Sequence, residues 1–343
     1  MDFATSQKKV VLFSGDPVQW DPWVVTSVGF TKLALLVHSE SWQGKECFVV
    51  ETAASLSNHE DCCLNPNWLA LAQSIKRLMM CRWVAYAGPE IYLEDLIFHQ
   101  EHSIVSQSLA ATQSTWVTNG DGFGVAWYTK RTTPGLFKDV LPAWNDSNLR
   151  SLAAHIQTRL FFAHVRATTG TAVNRSNCHP FIWQNWTFMH NGKIGNWHEC
   201  RKDVENLIDH VHYPHREGTT DSEALFLVAL SKGLIHDPIS ALKSTLYDVT
   251  RIMDAHKSDE PMRISCALTN GKEIWAFRYS SDDKSPSMYF GSPNTRASEQ
   301  GMNPITTIAS EPSDSDATHW FKVDERQGIH WTEQGLEHFQ INL

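Results

Sequence analysis

The first residue placed to do chemistry is Cys81, which directly follows Met80. A chain started at Met80 would lose that methionine, because its removal favours a small second residue, and would then begin with Cys81. An N-terminal cysteine carries a thiol with a reference pKa of about 8.5 and an α-amine with one of about 7.7–8.0. The amine can take the thiol proton and return it to a leaving group, so one residue supplies nucleophile and base. The alternative is a buried core cysteine, the usual environment of a free cysteine.

The pair Asn191-Gly192 follows Trp186 to His190, a run typical of a strand, and such a pair usually marks a hairpin turn. The chain offers its own comparison at Asn270-Gly271. There Ile264 to Thr269 and Glu273 to Tyr279 flank the pair as matched strands, which predicts a hairpin. No equally good returning strand follows Gly192. The Asn191 amide and the Gly192 N–H are therefore available for another role, and together they can form an oxyanion hole.

A strand predicted over Phe161 to Thr168 delivers His164 and Arg166 to the same side of a sheet, because strand side chains alternate with a period of two. A guanidinium binds a carboxylate through two parallel hydrogen bonds, and the small neighbours of Arg166 suit such a clamp. The alternative interpretation of Arg166 is a surface salt bridge.

The segment Thr220-Asp221-Ser222-Glu223 has the spacing of a capping box in front of the apolar run Ala224 to Leu230. In such a box Glu223 is needed for the cap, whereas Asp221 is not. An aspartate in the first helical turn stays ionised, because the helix N-terminus favours negative charge, and it can bind an ammonium group. The alternative is that Asp221 simply stabilises the first turn.

The elements that must position these residues are mostly predicted strands. Cys81 to Tyr86 alternates as a strand, and Gly88-Pro89 is expected to end it. Gly120 to Gly124 leads into a further predicted strand. The spacing of its glycines and the lack of a following helix exclude a dinucleotide-binding fingerprint. Two interpretations of this loop remain: a tight turn, or backbone held close to a reacting centre. Asp146 to Arg159 has the apolar spacing of a helix. His319 to Leu343 predicts one or two closing strands.

Composition limits the classes of function. The 343 residues include 42% hydrophobic and 20% charged residues, which is ordinary for a globular protein, and the net charge of -9 disfavours nucleic-acid or anionic-membrane binding. The longest apolar run, Val24 to Val37, is too short to span a bilayer and contains Lys32. The seven cysteines are scattered and odd in number. They favour a reducing compartment, and we expect a cytoplasmic protein.

The residue pattern of 1–79 differs from that of the rest of the chain. We interpret residues 1–79 as a separate segment and predict one functional domain over 80–343. Short strands are expected at Lys9 to Phe13 and Cys47 to Val50, and an amphipathic helix at Asn67 to Leu78. Three interpretations of this segment compete: upstream sequence added by a wrong start site, a propeptide cut before Cys81, or an appended domain that leaves Cys81 internal.

The histidines His210, His212 and His215 form H-x-H-x-x-H beside Pro214. A metal site is conceivable there. However, no fourth potential ligand has the sequence spacing of a metal site, and the segment has the composition of a solvated loop. We therefore expect neither a metal nor another cofactor.

Six motifs in this order resemble the class II glutamine amidotransferases, a family of N-terminal-nucleophile hydrolases. They are Met80-Cys81-Arg82-Trp83, Asn119-Gly120-Asp121-Gly122-Phe123-Gly124, His164-Val165-Arg166-Ala167-Thr168, Cys178-His179-Pro180-Phe181, His190-Asn191-Gly192 and Thr220-Asp221-Ser222-Glu223. Two later stretches, Trp275 to Ser280 and Ile308 to Pro312, resemble its stand-alone bacterial branch. That branch includes the hydrolase of ergothioneine synthesis and γ-glutamyl peptide-degrading proteins.

The resemblance implies an α+β fold, a four-layer αββα sandwich of two mainly antiparallel sheets. It implies Cys81 as the nucleophile with its freed α-amine as the base, and Asn191 and Gly192 as the oxyanion hole. Arg166 would bind the α-carboxylate of the substrate and Asp221 its α-ammonium, with His164 and Thr168 also placed at the substrate. The substrate implied is a small γ-glutamyl amide.

Two departures from the family pattern matter. Cys81 is internal as written, so its nitrogen is an amide that cannot act as a base. No ammonia-consuming synthase or isomerase region follows the motifs, so either a separate partner protein uses the ammonia or the reaction is plain hydrolysis. The alternative to an enzyme is a non-catalytic γ-glutamyl-binding subunit in which Cys81 stays internal.

Overall fold

The computed structural model describes residues 8–13, 24–28, 31–42, 45–52, 81–113, 120–167, 172–293, 306–316, 318 and 320–343. The chain divides into two compact units. One contains Met1–Met79 with Ala110–Thr118, and the other contains Met80–Leu109 with Asn119–Leu343.

The first unit holds a four-stranded antiparallel sheet. Its strands are β1 (Lys8–Phe13), β2 (Val24–Val28), β3 (Thr31–Trp42) and β4 (Lys45–Thr52), in the order β1-β4-β3-β2. The predicted strands Lys9 to Phe13 and Cys47 to Val50 fall inside β1 and β4. The predicted helix Asn67 to Leu78 lies outside the described residues.

The second unit contains two antiparallel sheets. The seven-stranded sheet has the order β15-β13-β14-β5-β8-β6-β7, and its strands are β5 (Arg82–Tyr92), β6 (Phe123–Tyr128), β7 (Gly135–Asp139), β8 (Gln157–Val165), β13 (Tyr289–Gly291), β14 (Thr306–Ala309) and β15 (Trp320–Lys322). The six-stranded sheet has the order β17-β16-β12-β11-β10-β9, and its strands are β9 (Phe181–Trp183), β10 (Trp186–Lys193), β11 (Arg263–Thr269), β12 (Ile274–Ser280), β16 (Gln327–Thr332) and β17 (Gly335–Gln340).

Helices cover the outer face of each sheet. The helices beside the seven-stranded sheet are α1 (Glu94–Ile97), α2 (Ile104–Gln113) and α3 (Ser147–His155). Those beside the six-stranded sheet are α4 (Trp197–Glu205), α5 (Asp221–Ser231) and α6 (Pro238–Ala255). None of the helices in the described residues is long and apolar enough to cross a membrane.

Three buried clusters show how the layers pack. One joins α1–α3 to the outward side chains of β5, β6 and β8, such as Tyr86 and Phe161. A second lies between the two sheets and combines Trp83 and Phe162 with Met189. The third fills the space between the six-stranded sheet and α4–α6. Helices outside and sheets inside give four layers, which confirms the αββα architecture that the resemblance implied.

Helix α5 shows why the apolar run Ala224 to Leu230 forms the innermost helix. Every residue from Ser222 to Leu230 is buried, so this helix is surrounded on all sides. A helix that is hydrophobic all round is stable only in such a position.

Several predicted boundaries are wrong. Strand β5 runs through Gly88-Pro89 to Tyr92, because a bulge between Ala87 and Ile91 absorbs the irregularity. Helix α3 ends at His155, since the polar–apolar alternation from Gln157 to Leu160 begins β8 instead of continuing the helix. Residues 319–343 contribute three strands instead of one or two.

Candidate active site

Cys81 stands at the start of β5 and is half-buried. Arg82 pairs with Val165 on β8, so Cys81 lies beside the residues that follow that strand. The backbone N–H of Ala167 donates to Cys81 Sγ at 3.4 Å, and the thiol donates to the Ala167 carbonyl oxygen at 3.5 Å. Within the described part of the chain, the hydrogen-bond partners of this thiol are therefore backbone atoms.

Burial raises the pKa of the Cys81 thiol. The Ala167 N–H and the positive charges of Arg166 and Arg82 oppose this effect, and Asp121 adds to it. Because the raised pKa keeps the thiol protonated at neutral pH, a base must remove its proton before the sulfur can attack.

Asn191 and Gly192 reach the same place from the other sheet. The side-chain amide of Asn191 donates from Nδ2 to the carbonyl oxygen of Cys81 at 2.8 Å. The predicted end of the strand at His190 is wrong, because β10 continues to Lys193 with Asn191 opposite Ser265 and Gly192 opposite Ile264. The prediction that this pair is not a hairpin turn is confirmed by the same register.

Gly192 occupies a position that only glycine fits. Its φ is +145°, and a Cβ placed there would lie 1.9 Å from the carbonyl oxygen of Arg263. The residue is exposed while Asn191 beside it is buried. The buried Asn191 amide contacts Cys81 and is followed by this exposed backbone, an arrangement that can receive an oxyanion.

Arg166 follows β8 directly and is only 3% exposed. Its backbone N–H donates to the Gly122 carbonyl oxygen at 2.8 Å, and the Asp121 N–H donates to the Arg166 carbonyl oxygen at 3.4 Å. Its Nη1 donates to the Ala172 carbonyl oxygen at 3.3 Å. A buried guanidinium held in this way is a strong anion site, because little of its charge is screened by water.

Asp221 is the first residue of α5 and lies close to the end of β10. Its Oδ2 accepts from the Ile194 N–H at 2.8 Å, and its Oδ1 accepts from the Ser222 N–H at 2.8 Å. The carboxylate therefore ties α5 to the strand that carries Asn191 and Gly192. It remains half-buried and so can still meet a small cation.

The predicted capping box is half right. Thr220 caps α5 by accepting from the Glu223 N–H at 3.3 Å. Glu223 does not reach back to the cap. Its carboxylate accepts from the N–H groups of Glu217 and Gly218 and from the Arg216 guanidinium, because the loop before the helix folds over it.

His164 lies behind the site instead of lining it. Its side chain is 1% exposed, and its Nε2 donates to the His190 carbonyl oxygen at 3.3 Å, just before Asn191. It stacks on His179 with ring centroids 4.3 Å apart. Burial lowers the pKa of His164 to about 3 and lowers the pKa values of His179 and His190. All three imidazoles are thus neutral at neutral pH, and His164 contacts the backbone of the residue before Asn191.

The glycine-rich loop brings backbone segments together. Gly122 has φ +114°, and a Cβ there would lie 2.6 Å from Cys178 Sγ. A Cβ on Gly124 would lie 2.1 Å from the His179 carbonyl oxygen. Both glycines therefore allow close packing against the segment 178–179, and the approach of this loop to a reacting centre stays a prediction.

Two other predictions concern Thr168 and the histidine cluster at 210–215. Thr168 lies outside the described residues, as does Asn119. His212 is 9% exposed, with its Nδ1 2.8 Å from Asp209 Oδ1 and its ring against Trp183, so this histidine is not the solvated residue we expected. Among the described residues, no three His, Cys, Asp or Glu side chains lie close enough together to hold a metal ion.

Residues 97–285 match the family described as class-II glutamine amidotransferases, which is more than half of the chain. The chain belongs to this family. As a class II glutamine amidotransferase, it is an enzyme that acts on a C–N bond.

Two curated relatives support the same family. A probable glutamine amidotransferase of Saccharomyces cerevisiae, DUG3, is 34% identical over 284 residues, covering 71% of this chain and 79% of the relative. The γ-glutamyl-hercynylcysteine sulfoxide hydrolase of Mycolicibacterium smegmatis is 27% identical over 202 residues, covering 57% of this chain and 78% of the relative.

Solved structures confirm the fold of this amidotransferase. A class-II glutamine aminotransferase domain protein from Silicibacter pomeroyi superposes with a TM-score of 0.60 at 35% identity, covering 77% of this chain and all of the neighbour. The glutamine phosphoribosylpyrophosphate amidotransferase of B. subtilis gives a TM-score of 0.53 at 15% identity, covering 77% of this chain and 50% of the neighbour. The second likeness concerns the fold alone.

Sequence reasoning missed four residues of the amidotransferase site. The backbone of Ala167 binds the thiol, and His190 Nδ1 lies 2.8 Å from Ser222 Oγ, which links β10 to α5. Asn177 links two loops beside Arg166 and Asp221. Ala167, His190 and Ser222 stand in the matched motifs but received no role, and Asn177 stands outside them. Backbone contacts and buried amides have no characteristic spacing that would have revealed these contacts.

Proposed function

We propose that this amidotransferase hydrolyses a γ-glutamyl amide through a thioester on Cys81, acting in a form that begins with Cys81. The observation that carries this proposal is the 2.8 Å contact between Asn191 Nδ2 and the carbonyl oxygen of Cys81. It holds an amide donor against a residue whose thiol contacts backbone atoms only, within the described residues.

The proposed reaction has two halves. The Cys81 amine takes the thiol proton, and the thiolate adds to the γ-carbonyl carbon of the substrate. The Asn191 amide and the Gly192 N–H stabilise the resulting oxyanion. Collapse breaks the C–N bond, and the departing ammonia or amine takes the proton that the Cys81 amine held. Water then hydrolyses the γ-glutamyl thioester and releases glutamate, with the amine again serving as base.

The head group of the substrate carries one negative and one positive charge, and the proposal assigns a residue to each. Arg166 binds the α-carboxylate, which the burial and fixed orientation of its guanidinium support. Asp221 binds the α-ammonium, which its half-buried carboxylate supports. Thr168 is proposed to contact the same head group. His164 is proposed to act through Asn191.

The printed names of the relatives guide the choice of substrate. The Mycolicibacterium relative is named for a γ-glutamyl conjugate, and the yeast relative for glutamine amidotransfer. We propose a small γ-glutamyl amide as the substrate of this chain, with plain hydrolysis as the reaction. A separate protein that consumes the released ammonia is the alternative.

The proposed form comprises residues 80–343 before methionine removal, and residues 1–79 are not part of it. Cys81, Cys178, Cys200 and Cys266 are free cysteines. Free thiols suit the reducing cytoplasm, where we place the enzyme.

The test compares Cys81→Ala with a matched variant, Cys200→Ala, whose cysteine is buried in α4. Release of glutamate from glutamine and from γ-glutamyl amides is measured. Loss of all turnover in Cys81→Ala alone supports the proposal, because the thioester cannot form without the sulfur. Equal turnover by wild type and Cys81→Ala contradicts it.

The N-terminus of the protein from its own cell separates the enzyme from a non-catalytic binding subunit. Intact-mass measurement is expected to show a chain that begins with Cys81. A protein that turns over substrate with a peptide bond on both sides of Cys81 would refute the role of the amine.

A further inference from the structure

We propose that Asn177 is a positioning residue that couples Arg166 to Asp221, so that the two charge-binding groups are held at a fixed spacing. The inference rests on the proposed function, which assigns those two residues to the substrate head group. Asn177 ends a short 3-10 turn, Arg175–Asn177, and its side chain is fully buried.

On the carboxylate side, Asn177 and Arg166 share one acceptor. Asn177 Nδ2 donates to the Ala172 carbonyl oxygen at 2.9 Å, and Arg166 Nη1 donates to the same oxygen at 3.3 Å. Ala172 itself is exposed, so burial of its side chain does not fix its backbone. The Asn177 amide therefore sets where this carbonyl lies, and the carbonyl orients the guanidinium.

On the ammonium side, the same amide holds the loop that starts α5. Asn177 Oδ1 accepts from the Thr219 N–H at 2.8 Å, and Asn177 Nδ2 also lies 3.1 Å from Thr219 Oγ1. Thr219 is followed by the capping residue Thr220 and then by Asp221. One side chain thus touches the two segments that carry the charge-binding residues.

The packing around Asn177 shows that the contact is close and specific. A Cβ on Gly218 would lie 2.5 Å from Asn177 Oδ1, so the loop approaches the amide as only glycine allows. The backbone N–H of Asn177 donates to Asn174 Oδ1 at 2.8 Å, which fixes the turn. The Asn177 Oδ1 acceptor serves the Thr219 loop, and its Nδ2 donor serves both Ala172 and the Thr219 hydroxyl. Replacing the donor by an oxygen breaks the bond to the Ala172 carbonyl, whereas the Thr219 hydroxyl can turn and donate instead.

The experiment exploits that polarity with two probes, each of which lacks one charge of glutamine. Glutaramic acid keeps the carboxylate and lacks the α-ammonium, whereas 4-aminobutanamide keeps an ammonium and lacks the carboxylate. Binding of glutamine and both probes is measured by NMR titration of the full chain carrying Cys81→Ala, so that no ligand is consumed.

Asn177→Asp keeps the acceptor for the Thr219 N–H and replaces the donor to Ala172 by a repelling oxygen. We expect it to weaken glutamine and glutaramic acid about tenfold, which corresponds to about 1.4 kcal/mol, and to change 4-aminobutanamide less than about twofold. The matched control is Asn185→Asp, since Asn185 Nδ2 donates to the Asn270 carbonyl oxygen at 2.9 Å in a different loop contact. The control is expected to leave all three affinities unchanged.

Thr219→Val tests the contact between Asn177 and the loop that starts α5. It also keeps the proposal testable if Asn177→Asp does not fold. Thr219 is exposed, so its replacement spares the core. Loss of the hydroxyl is expected to weaken glutamine and 4-aminobutanamide about threefold and to spare glutaramic acid.

Equal effects on the two probes, or effects no larger than those of Asn185→Asp, would overturn the coupling role. If the expected pattern holds while the unmodified enzyme hydrolyses no γ-glutamyl amide, the proposed reaction is wrong and the coupling stands. If the enzyme hydrolyses such amides and the pattern fails, the coupling is wrong. Failure of all three ligands to bind refutes both.

Discussion

Two of the three Asn-Gly pairs in this chain lie in places with opposite structural roles. Asn270-Gly271 joins β11 to β12 as a hairpin turn, with Gly271 at φ +86°. Asn191-Gly192 lies within β10, with Gly192 at φ +145°. Both glycines use backbone conformations that other residues rarely adopt, yet one closes a hairpin and the other follows Asn191, whose amide contacts Cys81.

The asparagines differ in the same way. Asn270 Oδ1 accepts from the N–H groups of Lys272 at 2.9 Å and Glu273 at 3.0 Å, so its side chain closes its own turn. The Asn191 amide reaches 110 residues along the chain to Cys81. The Asn270 side chain therefore stabilises its own turn, whereas the role proposed for the Asn191 side chain is at Cys81.

The sharpest test of this comparison replaces each asparagine by alanine. Asn191→Ala is expected to lower kcat by about 10²–10³, or about 2.7–4 kcal/mol, with a small change in KM, because an oxyanion donor acts only in the transition state. Asn270→Ala is expected to leave kcat unchanged and lower the free energy of unfolding by about 1 kcal/mol. Steady-state kinetics and urea unfolding measure the two. Equal losses of kcat would remove the distinction.

The glycines give the next largest effect. Gly192→Ala and Gly271→Ala both place a side chain at positive φ, which costs about 1–3 kcal/mol of folding free energy. Gly192→Ala is expected to lose more, since its Cβ would meet the Arg263 carbonyl oxygen at 1.9 Å, whereas at Gly271 it would meet the Tyr128 ring at the longer distance of 2.7 Å. Urea unfolding compares them. A larger loss for Gly271→Ala would contradict this account.

The smallest effect concerns pH and the histidines beside Asn191. Folding lowers the pKa of His164 from about 6.5 to about 3, so below pH 6.5 the unfolded chain binds a proton that the folded chain does not. Stability is therefore fully present above pH 6.5 and is lost as the pH falls towards 3. We expect His164→Gln to reduce this slope by up to about 1.4 kcal/mol per pH unit.

The control for that prediction is Phe162→Leu, a substitution at another buried residue of β8. It removes packing and no titrating group, so it should lower stability equally at pH 7 and pH 5. If His164→Gln leaves the slope of unfolding free energy against pH unchanged, the buried imidazole is not the cause.

Much of the site was predictable because its parts carry local patterns. The strand alternation at Cys81, the distinction between the two Asn-Gly pairs and the cap at Thr220 all follow from neighbouring residues, and the structure agrees with each. The roles assigned to these residues stay predictions. Boundaries failed where tertiary pairing extended an element past its local end signal, as at Gly88-Pro89 in β5 and at Asn191 in β10.

His164 shows why the rest was out of reach. Its motif and strand position placed it beside Arg166, which suggested contact with substrate. The imidazole instead lies between the two sheets, where it contacts the His190 carbonyl oxygen and the His179 ring. Which face of a strand meets another sheet depends on packing, and the alternation of a single strand is compatible with either.

By itself, the sequence determined the family and the set of reactive residue types, because six ordered motifs are local properties of the chain. The sandwich followed from the resemblance to that family, and strand periodicity predicted individual strands. Only the tertiary structure decided which groups meet. It placed the Asn191 amide against Cys81, buried His164 against the backbone of His190, and brought Ala172 and Thr219 to the one amide of Asn177. Such contacts arise when distant strands pack, and packing depends on the whole chain instead of on the spacing within any motif.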